Sequence, residues 1–477
     1  MSAVPRVVLS APSSGHGKTA ISVGLLAALT ARGMRTVGFK AGPDYVDAAY
    51  LGLAAGPRGR NLDPRLVGTE RVGPLFTHGA AGADIAVIEG TMGLYDGLAG
   101  RTDAESTAQI AGLLKAPVVL VVDVAAMGQS IAALVHGFRA YDETIRLGGV
   151  ILNRIDSDRH EHVLREALDD IGVPVLGALR RRVLSGLGAN GAPLPSRHEG
   201  VGPVAQGGLD ATRATRRLGE VISRTVDLER LVAIARSAPE LAVDRWSPEA
   251  ADAGGDTRHE RPPLIAVAGG PRLTFGYIET AELLRGAGAD VIVFDPVRDA
   301  HLPAGAGGVV LGGGMPEAYA EELSANEPLR AAVATFARAG GPIIAEGTGL
   351  VWLCQAFAGR PMCGVLDAKA GIGELIVLGY RRATSVTSSV LLPAGTTVVG
   401  HKLHRTVVAP RSGPHPAWSW PGGRPEGFVH RGVHASYLAL HWAGSPGIAA
   451  RFVAAAAASA ASAASAATVP ASRPVSA

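Results

Sequence analysis

Residues 9–19 read Leu-Ser-Ala-Pro-Ser-Ser-Gly-His-Gly-Lys-Thr, a run of small residues closed by a lysine and a hydroxyl side chain. Such a run suits the holding of a phosphate chain. Backbone N–H groups of Ser14, Gly15, His16 and Gly17 can close around phosphate oxygens, Lys18 can reach the β and γ oxygens, and the Thr19 hydroxyl can ligate Mg²⁺. Pro12 stands where the usual P-loop pattern has its first glycine. A second set of groups follows in Gly38-Phe39-Lys40-Ala41-Gly42-Pro43-Asp44-Tyr45-Val46-Asp47. There Lys40 can stabilise charge on a transferred phosphoryl group, while Asp44 and Asp47 can hold metal or orient substrate. A third is Ile85-Ala86-Val87-Ile88-Glu89-Gly90, which ends a buried strand with a carboxylate suited to Mg²⁺. Asp123, ending Val-Val-Leu-Val-Val, has a weaker claim, since many strand-end aspartates merely cap loops.

These residues need a scaffold that brings strand ends together. From Val7 to about Ala235, short β-branched runs at Val7–Leu9, Thr36–Phe39, Ile85–Ile88, Val118–Val122 and Gly149–Leu152 alternate with helical patterns. That alternation predicts a doubly wound parallel sheet with helices on both faces, and places the phosphate loop between the first strand and a helix starting near Ala20. Residues 237–263 gather proline, glycine and charge without apolar period and read as a linker, so residues 1–236 form the first domain. A second α/β domain is predicted over 264–453, with strands at Leu264–Ala268, Val291–Phe294, Gly308–Leu311 and Ile343–Ala345. Residues 454–477, almost wholly Ala and Ser before a short Pro-containing end, read as a disordered, solvated tail.

Composition narrows the function. The 477 residues carry a net charge of only +3, too little for the electrostatic footprint of nucleic-acid binding. Of the 45 cationic side chains just five are lysines, Lys18, Lys40, Lys115, Lys369 and Lys402, so a lysine retained at a loop such as 9–19 points to chemistry rather than solubility. Cys354 and Cys363 are too few for a disulfide framework and suit buried, reduced thiols in a cytoplasmic protein. Apolar stretches are too short to span a bilayer, and neither export nor membrane insertion is expected.

Taken in order, the motifs Ser13–Thr19, Phe39–Asp47, Asn61-Leu62-Asp63, Glu89–Gly97 and Leu194-Pro195-Ser196-Arg197-His198 resemble those of cobyrinate or hydrogenobyrinate a,c-diamide synthases, and the likeness spans both domains. The resemblance implies a dethiobiotin-synthetase-like ATPase domain joined to a class I glutamine-amidotransferase-like domain. It also implies ATP-dependent, Mg²⁺-assisted amidation of two acetate carboxylates of a corrin precursor, cobyrinic or hydrogenobyrinic acid, in cobalamin biosynthesis. By resemblance Asp44, Tyr45, Asp47 and Asp96 line the corrin and acyl-phosphate side, and Asn153 contacts the nucleotide base. Arg197 and His198 are contacts to substrate carboxylates on the same footing, although Ser196–Glu199 reads equally as a structural turn. A homodimer is implied as well.

The second domain carries the family outline in Gly312–Glu317, Ala345–Leu350, Gly400–Thr406 and Ala435–Trp442, but departs from it at the reacting groups. Where the family elbow has its nucleophilic cysteine this chain has Gly347, and Ala439 replaces the catalytic histidine; His441 remains without its catalytic partners. Cys354, expected two helical turns past the elbow, reads as a core residue. The expectation is therefore a ligase with a degenerate glutaminase, drawing nitrogen from free ammonia or from a separate glutaminase that docks onto it. The alternatives are a non-catalytic corrinoid- or nucleotide-binding paralogue, a partition-type ATPase switch, and a,c-diamidation of nickel sirohydrochlorin.

Overall fold

The computed structural model describes residues 4–56, 59–97, 105–181, 208–251, 261–269, 276–314 and 316–468, which fall into two compact units, Met1–Trp246 and Ser247–Ala477. Arg197 and His198 lie outside the described residues.

In the first unit seven strands form one parallel sheet: β1 (Arg6–Ser10), β2 (Thr36–Ala41), β3 (Arg60–Leu62), β4 (Ile85–Glu89), β5 (Val118–Asp123), β6 (Leu147–Ile155) and β7 (Val175–Arg180). Their order is β3-β2-β4-β1-β5-β6-β7. The strand at the centre, β1, is buried along its whole length because both sheet faces are covered, which is why its sequence runs apolar instead of alternating. Arg6 and Ser10, at its two ends, are the exceptions in that run, and the Arg6 guanidinium is satisfied by the carbonyls of Leu114 and Pro239, each at 2.6 Å. Helix α1 (Lys18–Ala31) lays Ile21, Leu25 and Leu29 against Val7, Leu9, Val119 and Val121, and the helix Gly208–Thr225 adds Leu218 and Ile222 to the same cluster. Each such fully buried side chain contributes on the order of 1.5 to 3 kcal/mol. The chain order reverses at β1, with β4 on one side and β5 on the other, and the crevice beyond the carboxyl ends of these strands is where an open sheet of this kind takes its ligands.

In the second unit, β8 (Leu264–Ala268), β9 (Asp290–Phe294), β10 (Ala306–Leu311) and β11 (Ile343–Glu346) are parallel, as their sequences predict. The same sheet is completed by two strands from much later in the chain, β17 (Phe428–His430) and β18 (Val433–Ser436), in the order β17-β18-β11-β10-β8-β9. Only β17 runs antiparallel. Between them the chain builds a second, five-stranded sheet with no counterpart in the sequence reading. The short β12 (Ala356–Phe357) and β13 (Arg360–Pro361) flank the long antiparallel pair β14 (Lys369–Ser385) and β15 (Thr397–Ala409), and β16 (Trp418–Ser419) joins β14. The second domain is thus a doubly wound sheet plus an antiparallel one.

Two of the expected boundaries are corrected. Residues 237–246 are not linker: Val243 lies against Gly73, and Trp246, buried, packs edge-on against His78 in the first unit. The short helix Pro248–Ala251 then packs on Gly286 of the second unit. The tail is not disordered from residue 454, because the helix that starts at Gly447 continues to Thr468 and buries Ala456 over Gly307 and Gly308 of β10. Alanine both favours the helix and fits over glycine-bearing backbone, so a segment too small-chained to look like core is core along one edge.

Candidate active site and the vacant elbow

The phosphate loop connects β1 to α1 as its composition requires. Gly15 and Gly17 both have φ near +90°, a conformation open to glycine, and a β-carbon on Gly17 would sit 2.6 Å from Asn153 Nδ2. Gly17 caps α1 with no side-chain hydrogen bond, and the first turn holds no acidic residue, so the N-terminal N–H groups face a site that favours an anion. Two contacts absent from the sequence reading brace this loop. His16 Nδ1 accepts from the Asp123 N–H at 2.7 Å, leaving the ring proton on Nε2, which faces Ser13 Oγ at 3.1 Å. Asn153, at the end of β6, donates to the His16 carbonyl at 2.9 Å, and its buried Oδ1 has no hydrogen-bond partner. Asp123 itself pairs with Arg154 at 2.5 Å and caps its own loop through Ala125, in keeping with its weaker claim to chemistry.

Lys18 is buried and donates to the carbonyls of Ser13, at 3.0 Å, and Met92, at 2.5 Å. Burial, reinforced by the nearby Lys40 charge, lowers its pKa to about 8 against the opposing pull of Glu89, Asp47 and Asp96. The Met92 carbonyl reaches Lys18 from a turn in which Met92 has a positive φ and Asp96 Oδ2 accepts from the Gly93 N–H at 2.8 Å. Its only sequence signal is the Gly90-Thr91-Met92-Gly93 run directly after a strand.

The ends of β1, β2 and β4 bring Thr19, Lys40 and Glu89 together. Glu89 is completely buried; its Oε1 accepts from Thr19 Oγ1 at 2.5 Å and from Lys40 Nζ at 2.7 Å, while Oε2 has no hydrogen-bond partner among the described residues. Lys40 Nζ also lies 2.7 Å from Asp47 Oδ2, on the first turn of α2 (Tyr45–Ala55), and 3.3 Å from the Gly90 carbonyl. Burial works against the Lys40 charge, but Asp47, Glu89 and Asp44 outweigh it and hold the ammonium above its ordinary pKa. Burial likewise raises Glu89, opposed by Lys40 and Thr19.

Two residues read as lining the substrate are used by the fold. Asp44 is buried and caps α2, accepting from Val46 N–H at 2.9 Å and Asp47 N–H at 3.2 Å, and Tyr45 is buried in the first turn of the same helix. Their loop is thereby fixed, and it presents Asp47 to the site.

The second unit has a comparable strand-turn-helix at the end of β11. Gly347 adopts φ 54° and ψ −106°, donates its N–H to the Ser436 carbonyl at 3.0 Å and starts the helix Thr348–Leu353. A β-carbon on Gly347 would approach Gly313 Cα at 3.2 Å and otherwise meet nothing closer than 4.0 Å. Gly347, the residue expected at the position of the family's nucleophile, has no side chain to attack with. Ala439 is held by paired backbone hydrogen bonds with His401, both 2.9 Å. His441 is more engaged than its sequence context suggests: Nε2 lies 3.6 Å from Glu279 Oε2 and the ring stacks on Tyr277 at 4.3 Å. Cys354 caps the C-terminus of the elbow helix, which is shorter than expected, and donates to the Leu350 carbonyl at 3.3 Å from within the core. Burial pushes its thiol up to about 12, so it carries no thiolate near neutral pH.

Residues 7–194 match the family described as the CobQ/CobB/MinD/ParA nucleotide binding domain, and residues 264–447 match the CobB/CobQ-like glutamine amidotransferase domain. Over 95% of its length the chain is 52% identical to the hydrogenobyrinate a,c-diamide synthase of Streptomyces coelicolor, covering 97% of that protein. The chain belongs to the cobyrinate and hydrogenobyrinate a,c-diamide synthase family. The family enzyme of Mycobacterium tuberculosis, also named a hydrogenobyrinate synthase, is 46% identical over 95% of this chain and 98% of its own. That of Gloeobacter violaceus, named a cobyrinate synthase, is 40% identical over 94% and 96%. The first unit is thus a nucleotide-binding domain, and Gly347 lies in a glutamine-amidotransferase-like domain. No helix among the described residues is long and apolar enough to cross a membrane.

Proposed function

We propose that this protein is an ATP-dependent ligase that amidates the a and c acetate carboxylates of hydrogenobyrinic acid, with ammonia as the nitrogen nucleophile. The observation that carries the reading is the Thr19–Glu89–Lys40–Asp47 network, built on the buried Glu89 and Lys40 and set beside Lys18 at the mouth of a glycine loop. ATP supplies the phosphoryl group that turns a carboxylate oxygen into a leaving group, because oxide itself leaves poorly. The fit of these residues to a magnesium nucleotide rests on three features. The uncapped start of α1 offers N–H groups to phosphate, the orphaned Glu89 Oε2 suits a hard cation beside the Thr19 hydroxyl, and the orphaned Asn153 Oδ1 suits an exocyclic amino group of the base. Lys18 neutralises charge on the phosphates, Asp47 joins Glu89 and Thr19 at the metal, and Asp96 orients the substrate carboxylate.

The metal-free ring is favoured over the cobalt-containing one because the Streptomyces and Mycobacterium relatives, more similar than that of Gloeobacter, bear the hydrogenobyrinate name. Family likeness supports a homodimer, and two buried thiols suit the cytoplasm. With Gly347 and Ala439 in the elbow, nitrogen comes from free ammonia or from a separate glutaminase. The test is purified protein with ATP, Mg²⁺ and hydrogenobyrinic or cobyrinic acid, comparing ammonium with glutamine by product mass. Diamide from the metal-free acid with ammonium supports the proposal; no amide from either acid with either donor rejects it in favour of a binding paralogue.

A further inference from the structure

Lys40 is fully committed. Its ammonium has three hydrogens, and three oxygens receive them: Glu89 Oε1 and Asp47 Oδ2, each at 2.7 Å, and the Gly90 carbonyl at 3.3 Å. In this arrangement the side chain is a buried cation seated against the two carboxylates proposed as metal ligands, with Lys18 close enough for the two positive charges to oppose each other. A bare divalent ion arriving at Glu89 would be a third cation among them. It would meet, at the open Oε2, a carboxylate whose charge is already offset by Lys40 through Oε1. Phosphate reverses the balance: its negative oxygens attract both lysines and supply ligands to the metal on the side away from the protein.

We propose that Lys40 is a resident counter-cation that keeps the Glu89–Asp47 metal position closed to free divalent ions and yields it only when a nucleotide triphosphate is bound. Lys40 is then a positioning residue before it is anything else, and metal and nucleotide enter together. The inference rests on the reading of Glu89 as a metal ligand, but not on the identity of the tetrapyrrole.

The test is Mn²⁺ binding to the full chain, followed by loss of the free-ion EPR signal with no corrin substrate present. The unaltered protein should bind Mn²⁺ in the presence of a non-hydrolysable ATP analogue and at least about tenfold more weakly without it. Lys40→Met should gain nucleotide-independent Mn²⁺ binding by about tenfold or more, whereas Lys40→Arg, which keeps the charge, should not. Adding Glu89→Gln to Lys40→Met should remove the gain. Equal Mn²⁺ affinity of the unaltered protein with and without the analogue would overturn the closed-site proposal even if Lys40→Met failed to fold, as would a soluble, folded Lys40→Met with no gain. Absence of Mn²⁺ binding even with the analogue would instead overturn the magnesium-nucleotide reading itself.

Discussion

The two units place a strand, a tight turn and a helix at the carboxyl end of a parallel sheet, and they treat the turn in opposite ways. At residues 10–19 the backbone and the side chains agree: Gly17 has the positive φ the loop needs, and Lys18, Thr19, Glu89 and Lys40 converge beside it. At residue 347 the turn carries no side chain. The φ and ψ of Gly347, the hydrogen bond to Ser436 and the following helix form a turn of the same kind, yet Gly347 itself offers no group to attack an amide. In the reading proposed above, packing of the surrounding strands holds the turn's geometry, while chemistry depends on single side chains that the packing does not need. A glycine even relieves the elbow, since the conformation is costly for any other residue.

The largest expected effect removes the agreement in the first unit. Lys18→Ala deprives the phosphate oxygens of a buried positive charge at a place where water cannot replace it. Amidation should fall at least about 100-fold with either nitrogen donor, measured by product mass under saturating ATP. Turnover within a few-fold of the unaltered enzyme would dissolve the contrast between the two turns.

The second test approaches from the empty side. Without nucleophile and base, glutamine should release no glutamate above background from the partner-free protein, while ammonium supports amidation. Cys354→Ser should leave both results unchanged, since that thiol is buried and held far from ionisation. Glutamate release that alkylation or Cys354→Ser abolishes would show that a thiol has taken over the elbow.

A smaller effect follows from the burial of Lys18. Its pKa of about 8 lies below the roughly 10.4 of a free lysine, so the side chain is charged below pH 8 and loses its proton as pH rises through that value. Affinity for a magnesium–ATP analogue should therefore weaken several-fold between pH 7.5 and about 9.5, with bound phosphate pushing the midpoint upward. Lys18→Arg, with a cation that does not titrate there, should flatten the curve even if its affinity is lower. A flat profile in the unaltered protein would mean that the lysine is better solvated than its carbonyl-bound position implies.

Much of this contrast was legible in the chain itself, for definite physical reasons. Strands buried on both faces, such as Val118–Val122 and Ile85–Ile88, stand out as continuous apolar runs, and the Gly-Lys-Thr after Val7–Leu9 marks the loop. Three-residue β3 has too little sequence to show a period, and β14 hides behind five glycines or alanines and a row of exposed apolar residues, Ile372, Leu375, Ile376 and Leu378, that follow no inside-outside alternation. β18 was missed because its place in the sheet, beside β11, is a pairing some ninety residues distant that no local pattern records. Within the site, the acids and lysines were visible by type. Their division of labour was not, because only the fold shows that Asp44 caps α2 while its neighbour Asp47 reaches Lys40.

The smallest effect concerns the elbow as pure structure. Gly347→Ala adds one carbon in a backbone conformation with φ of 54°, and that carbon would press Gly313 Cα at 3.2 Å, closer than most such contacts. The strain should cost about 1 to 3 kcal/mol, read as a lowered unfolding midpoint, since the strands on either side hold the turn in shape. Ammonium-dependent amidation should be unchanged, because the groups that carry it in this reading all come from the first unit. Loss of amidation in a stably folded Gly347→Ala would mean that the vacant elbow still serves the reaction, for instance by shaping a route for ammonia, and the two turns would then be partners in one mechanism instead of a working site and its relict.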